Sequence, residues 1–180
     1  TDRSVSRAEI GWASFEGHSR YLSACLSHSS PVSPPPFMAG MAEIDLDPET
    51  GKVQVVDYVA VVDCGTVINT NLARVQTEGG IVQAIGMTLY EDVQYDEAGR
   101  MVNDSFLQYK IPTRLDMGRL QVEFESSYEP TGPFGAKSIG EIVINTPSPA
   151  IAHAIANATG LWFKELPITS EKIAMGLLKK

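Results

Sequence analysis

Between residues 42 and 47 the chain alternates strictly: Ala42, Ile44 and Leu46 are apolar, while Glu43, Asp45 and Asp47 are acidic. Successive side chains on a strand point to opposite faces, so this alternation predicts a half-buried strand. The turn residues "DPETG" (47–51) follow, and then the valine-rich run "KVQVVDYVAVVD" (52–63). Together these segments predict a β-hairpin.

From Asn69 the spacing becomes helical. Leu72, Val75, Gly79, Val82, Ile85 and Leu89 recur every three or four residues and define the expected inward stripe, with Asn69 or Thr70 placed to cap the first turn. Further strands are expected in "DVQYDEAGRMV" (92–102) and "LQVEFESSYE" (120–129), with loop through "YKIPTRLDM" (109–117). Two helices close the chain. One starts near Ser148–Pro149, with proline in its first turn, and stops at Thr159–Gly160; the other covers roughly 170–178.

The segment 8–26 reads as hairpin-like, and "SHSSPVSPPPF" (27–37) connects it to the main body at 38–180. Pro31, Pro34, Pro35 and Pro36 force extended or polyproline geometry, which fits an ordered crossing and a flexible linker equally. The chain is read as a single domain over 1–180, of the α+β class: a mixed sheet with β-hairpins and packed helices.

Charge and composition narrow the choice of partners. The net charge is −8 and no cluster of lysine or arginine stands out. Nucleic acid and anionic membrane surfaces would repel such a chain. No apolar run approaches the roughly 20 residues that a membrane span needs, and no signal-peptide pattern is present. Cys25 and Cys64, taken with His18, His28 and His153, form no C-x-x-C or H-x-x-x-H spacing, so no metal site built by protein side chains alone is expected. Two separated cysteines without a secretory signal point to a reducing compartment, the cytoplasm. The chain opens on Thr1, and is read as processed, trimmed or a piece of something longer.

Glycines raise the chemical question. Gly79, Gly80 and Gly86 lie inside the long helix, where each costs about 1 kcal/mol relative to alanine. Gln76, Gly79 or Gly80, and Gln83 share one helix face. Two amides flanking a bare patch could receive a flat, hydrogen-bonding molecule. The same glycines would equally allow close packing on the sheet, with the glutamines at its edge. No G-x-G-x-x-G or G-K-[ST] pattern supports a nucleotide site. A second group, Gly132, Gly135 and Gly140, leads directly to Glu141. If that stretch is buried, desolvation disfavours the charged carboxylate, which suits a general base. The alternative is an exposed acid on a surface loop.

Four motifs bear on these readings. "AEIDLDPETGKV" (42–53), "VVDCGTVIN" (61–69), "EGGIVQAIG" (78–86) and "GAKSIGE" (135–141) stand in this order. They resemble the C-terminal end of the large, molybdopterin-binding subunit of the xanthine dehydrogenase and aldehyde oxidase family. The likeness runs through nearly all of residues 31–178. It implies one half of that family's molybdenum cofactor-binding domain. In that family the Glu ending the motif is the general base, here Glu141, and Gly140 lies beside the metal. Gln83 is implied to hydrogen-bond the cofactor, and Gly80 and Lys137 are counted with it as cofactor-binding positions.

The implied reaction is hydroxylation of a purine, a related N-heterocycle or an aldehyde, with water as the oxygen source. The implied cofactor is molybdenum-molybdopterin, whose metal is held by the pterin dithiolene. Iron–sulfur clusters and FAD are expected on other domains or subunits, and the full enzyme is expected to be an oligomer. The expected partners are the N-terminal part of the molybdopterin-binding subunit and a small heterocyclic or aldehyde substrate. Ala84 replaces a glycine common in the family, and Ile142-Val143 replaces the Pro-Pro of the animal enzymes, so their substrate preference does not carry over. The family's subunit is several times longer. On this reading the chain is one wall of a site and is inactive alone. The alternative is a non-catalytic assembly or binding module that retains the fold.

Overall fold

A computed structural model describes residues 2–16, 22–27 and 29–179. They fall into two compact units, Thr1–Pro31 and Val32–Lys180. The first unit holds the helix α1 (Arg7–Glu16), which corrects the expected hairpin-like segment over 8–26. The reason is local. The Ser6 N–H donates to Glu9 Oε2 (2.7 Å) and the Glu9 N–H donates to Ser6 Oγ (3.2 Å), a reciprocal capping box that starts a helix. Residues 17–21 of that expectation lie outside the described residues.

The second unit is built on the predicted hairpin. Strands β1 (Phe37–Leu46) and β2 (Val53–Asp63) pair antiparallel across the turn that starts at Asp47. There Thr50 Oγ1 donates to Asp47 Oδ2 (2.7 Å) and the Asp47 N–H to the Lys52 carbonyl (2.9 Å). A bulge interrupts the register: Glu43 faces Asp57 but Ile44 faces Val55, which leaves Val56 as the extra residue. The inward positions of β2 therefore change phase, from Val53 and Val55 to Tyr58, Ala60 and Val62, all buried. Strand β3 (Met117–Glu125) pairs parallel to β2, giving a mixed sheet of order β1-β2-β3.

A parallel pair needs a crossover, and the chain supplies it with α2 (Thr70–Leu89). Beyond β3 come α3 (Ile142–Asn145), α4 (Pro147–Thr159) and α5 (Ser170–Leu178). Helix α4 ends as expected at Gly160, in the left-handed conformation (φ 70°). Helices α2 and α4 pack on each other, α4 on β1 and α2 on β3. Val55, Tyr58, Ile81, Ile85, Ile151, Ile155 and Ile173 fill the core between them. The fold is α+β, with strands and helices around one core. No helix among the described residues is long and apolar enough to cross a membrane.

Two expectations need correction here. The segment 92–102 forms no strand and keeps one bridge, Tyr95 to Met101. Its turn is sound, because Asp96 Oδ1 accepts from the Ala98 and Arg100 N–H groups (2.9 and 2.8 Å). Val93, Tyr95, Met101 and Val102 are nevertheless exposed, and a two-stranded ribbon without a buried face does not extend. The inward face of α2 also differs from the predicted stripe. Leu72 and Val75 are exposed, whereas Thr77 and Thr88 are fully buried. Burial is possible because each hydroxyl donates to a carbonyl one turn back: Thr77 to Ala73 (2.9 Å) and Thr88 to Ala84 (2.5 Å).

Candidate functional site

Two of the four motifs, "VVDCGTVIN" and "GAKSIGE", meet where β2 ends. Asp63 is the last residue of β2, and its carboxylate joins three segments. Oδ1 accepts from Ser127 Oγ (2.6 Å) and from the Gly65 N–H (3.0 Å), and Oδ2 accepts from Lys137 Nζ (2.5 Å). The Lys137 ammonium, with these hydrogen bonds, holds the Asp63 carboxyl down at about 2, below its usual 3.8. Lys137 itself is only 7% exposed along its side chain, and its Nζ lies 5.3 Å from the centroid of the Phe37 ring. Backbone bonds fasten the same two loops. The Lys137 N–H donates to the Cys64 carbonyl and the Thr66 N–H to the Gly135 carbonyl, both at 2.7 Å. Gly135 (φ 81°) adopts a left-handed conformation, and an added Cβ would strike Tyr128 and Thr66.

Next to this junction lies an apolar cleft of about 440 Å³, lined by Cys64, Val67, Leu72, Gln76, Lys137 and Gly140 among others. It brings the predicted residues Lys137 and Gly140 together with Gln76. Gly80, Gln83 and Glu141 do not line it. Cys64 is buried and burial pushes its thiol up, away from a ready thiolate nucleophile.

Glu141 precedes α3, and its carboxylate is exposed, with no hydrogen bond or ion pair among the described residues. The expected desolvation is therefore not supplied within this chain. Gly140 beside it is open, since an added Cβ would meet nothing within 4 Å. Gly79 is equally open, whereas a Cβ on Gly80 would overlap Val143 Cγ2. This corrects the placing of Gly80 on a ligand-facing surface: it turns inward, and α2 and α3 touch there. Gln83, about one turn further along α2, is exposed. The contacts made by Asp63, Ser127 and Val143 escaped the sequence reading. Asp63 stands inside a quoted motif, but its partner is 74 positions away and no spacing rule links them.

The fold and the sequence both have counterparts among known proteins. Residues 5–118 match the family described as "Molybdopterin cofactor-binding domain". Over 145 residues the chain is 38% identical to the probable hypoxanthine oxidase XdhD of Escherichia coli, covering 80% of this chain and 15% of that protein. It is also 38% identical, over 77% of its length, to the gamma subunit of the 6-hydroxypseudooxynicotine dehydrogenase complex of Paenarthrobacter nicotinovorans, of which it covers 18%. The solved Cu,Mo-CO dehydrogenase in its carbon monoxide reduced state superposes with a TM-score of 0.76 at 25% identity, covering 94% of this chain and 23% of that one.

The chain belongs to the molybdopterin cofactor-binding domain family, that of the large subunits of xanthine dehydrogenases and aldehyde oxidoreductases. It spans less than a fifth of the length of these two curated relatives. Its residues fit such a cofactor in one respect that the structure displays. The cleft beside the exposed Gln76 amide and the open backbone of Gly140 leaves room for part of a flat group rich in hydrogen-bonding atoms.

Proposed function

We propose that this chain forms one wall of the catalytic site of a molybdenum hydroxylase of the xanthine dehydrogenase type, with Glu141 as the general base. One observation carries the reading. The only carboxylate of the "GAKSIGE" motif is exposed and, among the described residues, unpartnered beside an open glycine, although Lys137 upstream and Val143 downstream are anchored. An acid left without a partner is available to take a proton from a reactant. Its desolvation then comes from the rest of the subunit, and the chain alone oxidises nothing.

When bound, the molybdenum cofactor supplies the acceptor for the two electrons that leave the substrate. This chain's contribution is to orient and to deprotonate. Gln83, with Gly140, offers hydrogen-bonding and backbone contact to the cofactor, and Glu141 accepts the proton of the water-derived oxygen nucleophile. The substrate is a purine, a related N-heterocycle or an aldehyde. Relatives named for hypoxanthine and for a hydroxylated nicotine derivative support the heterocyclic choice. Electrons continue to iron–sulfur clusters and FAD on other domains or subunits. The relative named as a complex subunit supports such an assembly.

The reaction class is tested by oxidation in isotopically labelled water, using the complete subunit that carries this chain. Hypoxanthine, a pyridine derivative and an aromatic aldehyde are offered in turn. The product of at least one should carry the label from water. Label from dioxygen, or no oxidation of any of the three, would contradict the proposal.

A further inference from the structure

Glu141 sits in a stretch with no hydrogen-bond ladder of its own. Among the described residues the N–H groups of Ser138, Ile139 and Gly140 donate to no backbone carbonyl. Gly140 adds backbone freedom directly before the acid. A carboxylate placed this way would wander unless the chain were fixed on both sides of it.

Two fixed points flank it. Lys137, four positions upstream, is buried, and its ammonium is committed to Asp63 at 2.5 Å. The Asp63 carboxylate is itself held by Ser127 Oγ and the Gly65 N–H, so the lysine is aimed at a stationary target. Val143, two positions downstream, is fully buried and occupies the space that a side chain at position 80 would need. One anchor is an ion pair with direction; the other is a packing contact with a β-branched, stiff side chain. Buried ion pairs add little net stability after desolvation, but they can fix a conformation.

The geometry points to a two-point clamp on Glu141: Lys137 held by Asp63, and Val143 seated in the gap left by Gly80. Lys137 and Gly80 are then positioning residues, and neither touches the cofactor. The inference rests on the reading of Glu141 as general base, and its test separates the two.

Lys137→Met removes the charge and keeps the length. In the complete subunit it should lower turnover per bound molybdenum by about tenfold or more, with molybdenum content unchanged. In a Glu141→Gln background the same change should alter turnover by less than about twofold, because residues acting as one unit are not additive. A readout independent of activity is the backbone order parameter of residues 138–141 in the 180-residue chain. It should fall below about 0.6 in Lys137→Met. Asp63→Asn, which retains size and hydrogen bonding, serves as the second variant if Lys137→Met does not fold.

Equal losses in both backgrounds, a loss of molybdenum, or unchanged order parameters in both variants would overturn the clamp. Should Glu141→Gln alone keep wild-type turnover, the general-base reading fails, while the order parameters still decide whether the clamp exists.

Discussion

The two flanks of α2 carry neighbouring glycines with opposite surroundings. On the closed flank, Gly80, Ile81, Ala84 and Ile85 are buried, and Gly80 admits Val143 of α3. On the open flank, Leu72, Val75, Gly79 and Gln83 face outward, and nothing lies within 4 Å of a Cβ built on Gly79. One glycine serves close packing and the other leaves a surface bare. The pair "GG" thus answers both of the alternatives that the helix posed, with a different residue for each. Apolar spacing identifies a helix without saying which of two apolar flanks turns inward.

The sharpest way to break this comparison is to fill each glycine in turn. Gly80→Leu places a large side chain where Val143 already sits, and overpacking of this kind costs about 3 kcal/mol or more. The melting temperature of the chain should fall by ~10 °C. Gly79→Leu should leave it unchanged or slightly raised. If the two variants melt alike, the division of the helix into flanks is wrong.

A smaller effect concerns the junction beneath α2. Because the Asp63 carboxyl is held at about 2, below its usual 3.8, its stabilising contribution is complete above that usual value. It is lost as the pH falls towards about 2. The stability gap between wild type and Asp63→Asn, followed by denaturant midpoints, should therefore be constant near neutral pH and close between about pH 4 and pH 2. A gap that does not change with acid would mean that the Lys137–Asp63 pair does not form in solution.

The smallest effect belongs to Gly79→Ala. An open helical glycine replaced by alanine should stabilise the chain by about 0.5–1 kcal/mol. Gly80→Ala should instead destabilise it, since even one methyl meets Val143. Paired denaturant titrations would read both signs.

What the sequence disclosed was chiefly local. The hairpin showed in its alternation and turn, and α4 in its first-turn proline and terminal glycine, because these signals span only a few neighbouring residues. Helix α1 was equally local, in the Ser6–Glu9 capping box, but the hairpin reading passed over it. The buried threonines of α2 were not legible, since a hydroxyl satisfied by its own helix behaves like an apolar group. The parallel pairing of β2 with β3 and the Asp63–Lys137 contact were hidden for another reason. Each joins residues far apart in the chain, and no periodicity carries such information. The glycine cluster singled out Gly140 and Glu141 without choosing between a base and a surface acid, because one acid after a glycine has no chemical signature by itself, and only the motif favoured the base.

The central claim is that Glu141 takes a proton in the reaction, and one substitution tests it most directly. Glu141→Gln keeps size and hydrogen bonding but removes the base. General-base catalysis is worth about 10²–10⁴ in rate, so turnover normalised to bound molybdenum in the complete subunit should fall at least about 10²-fold. Molybdenum content should not change. Glu141→Asp should recover little, because a base withdrawn by about 1 Å loses its reach. Wild-type turnover in the Gln variant would contradict the account and leave Glu141 an exposed loop residue.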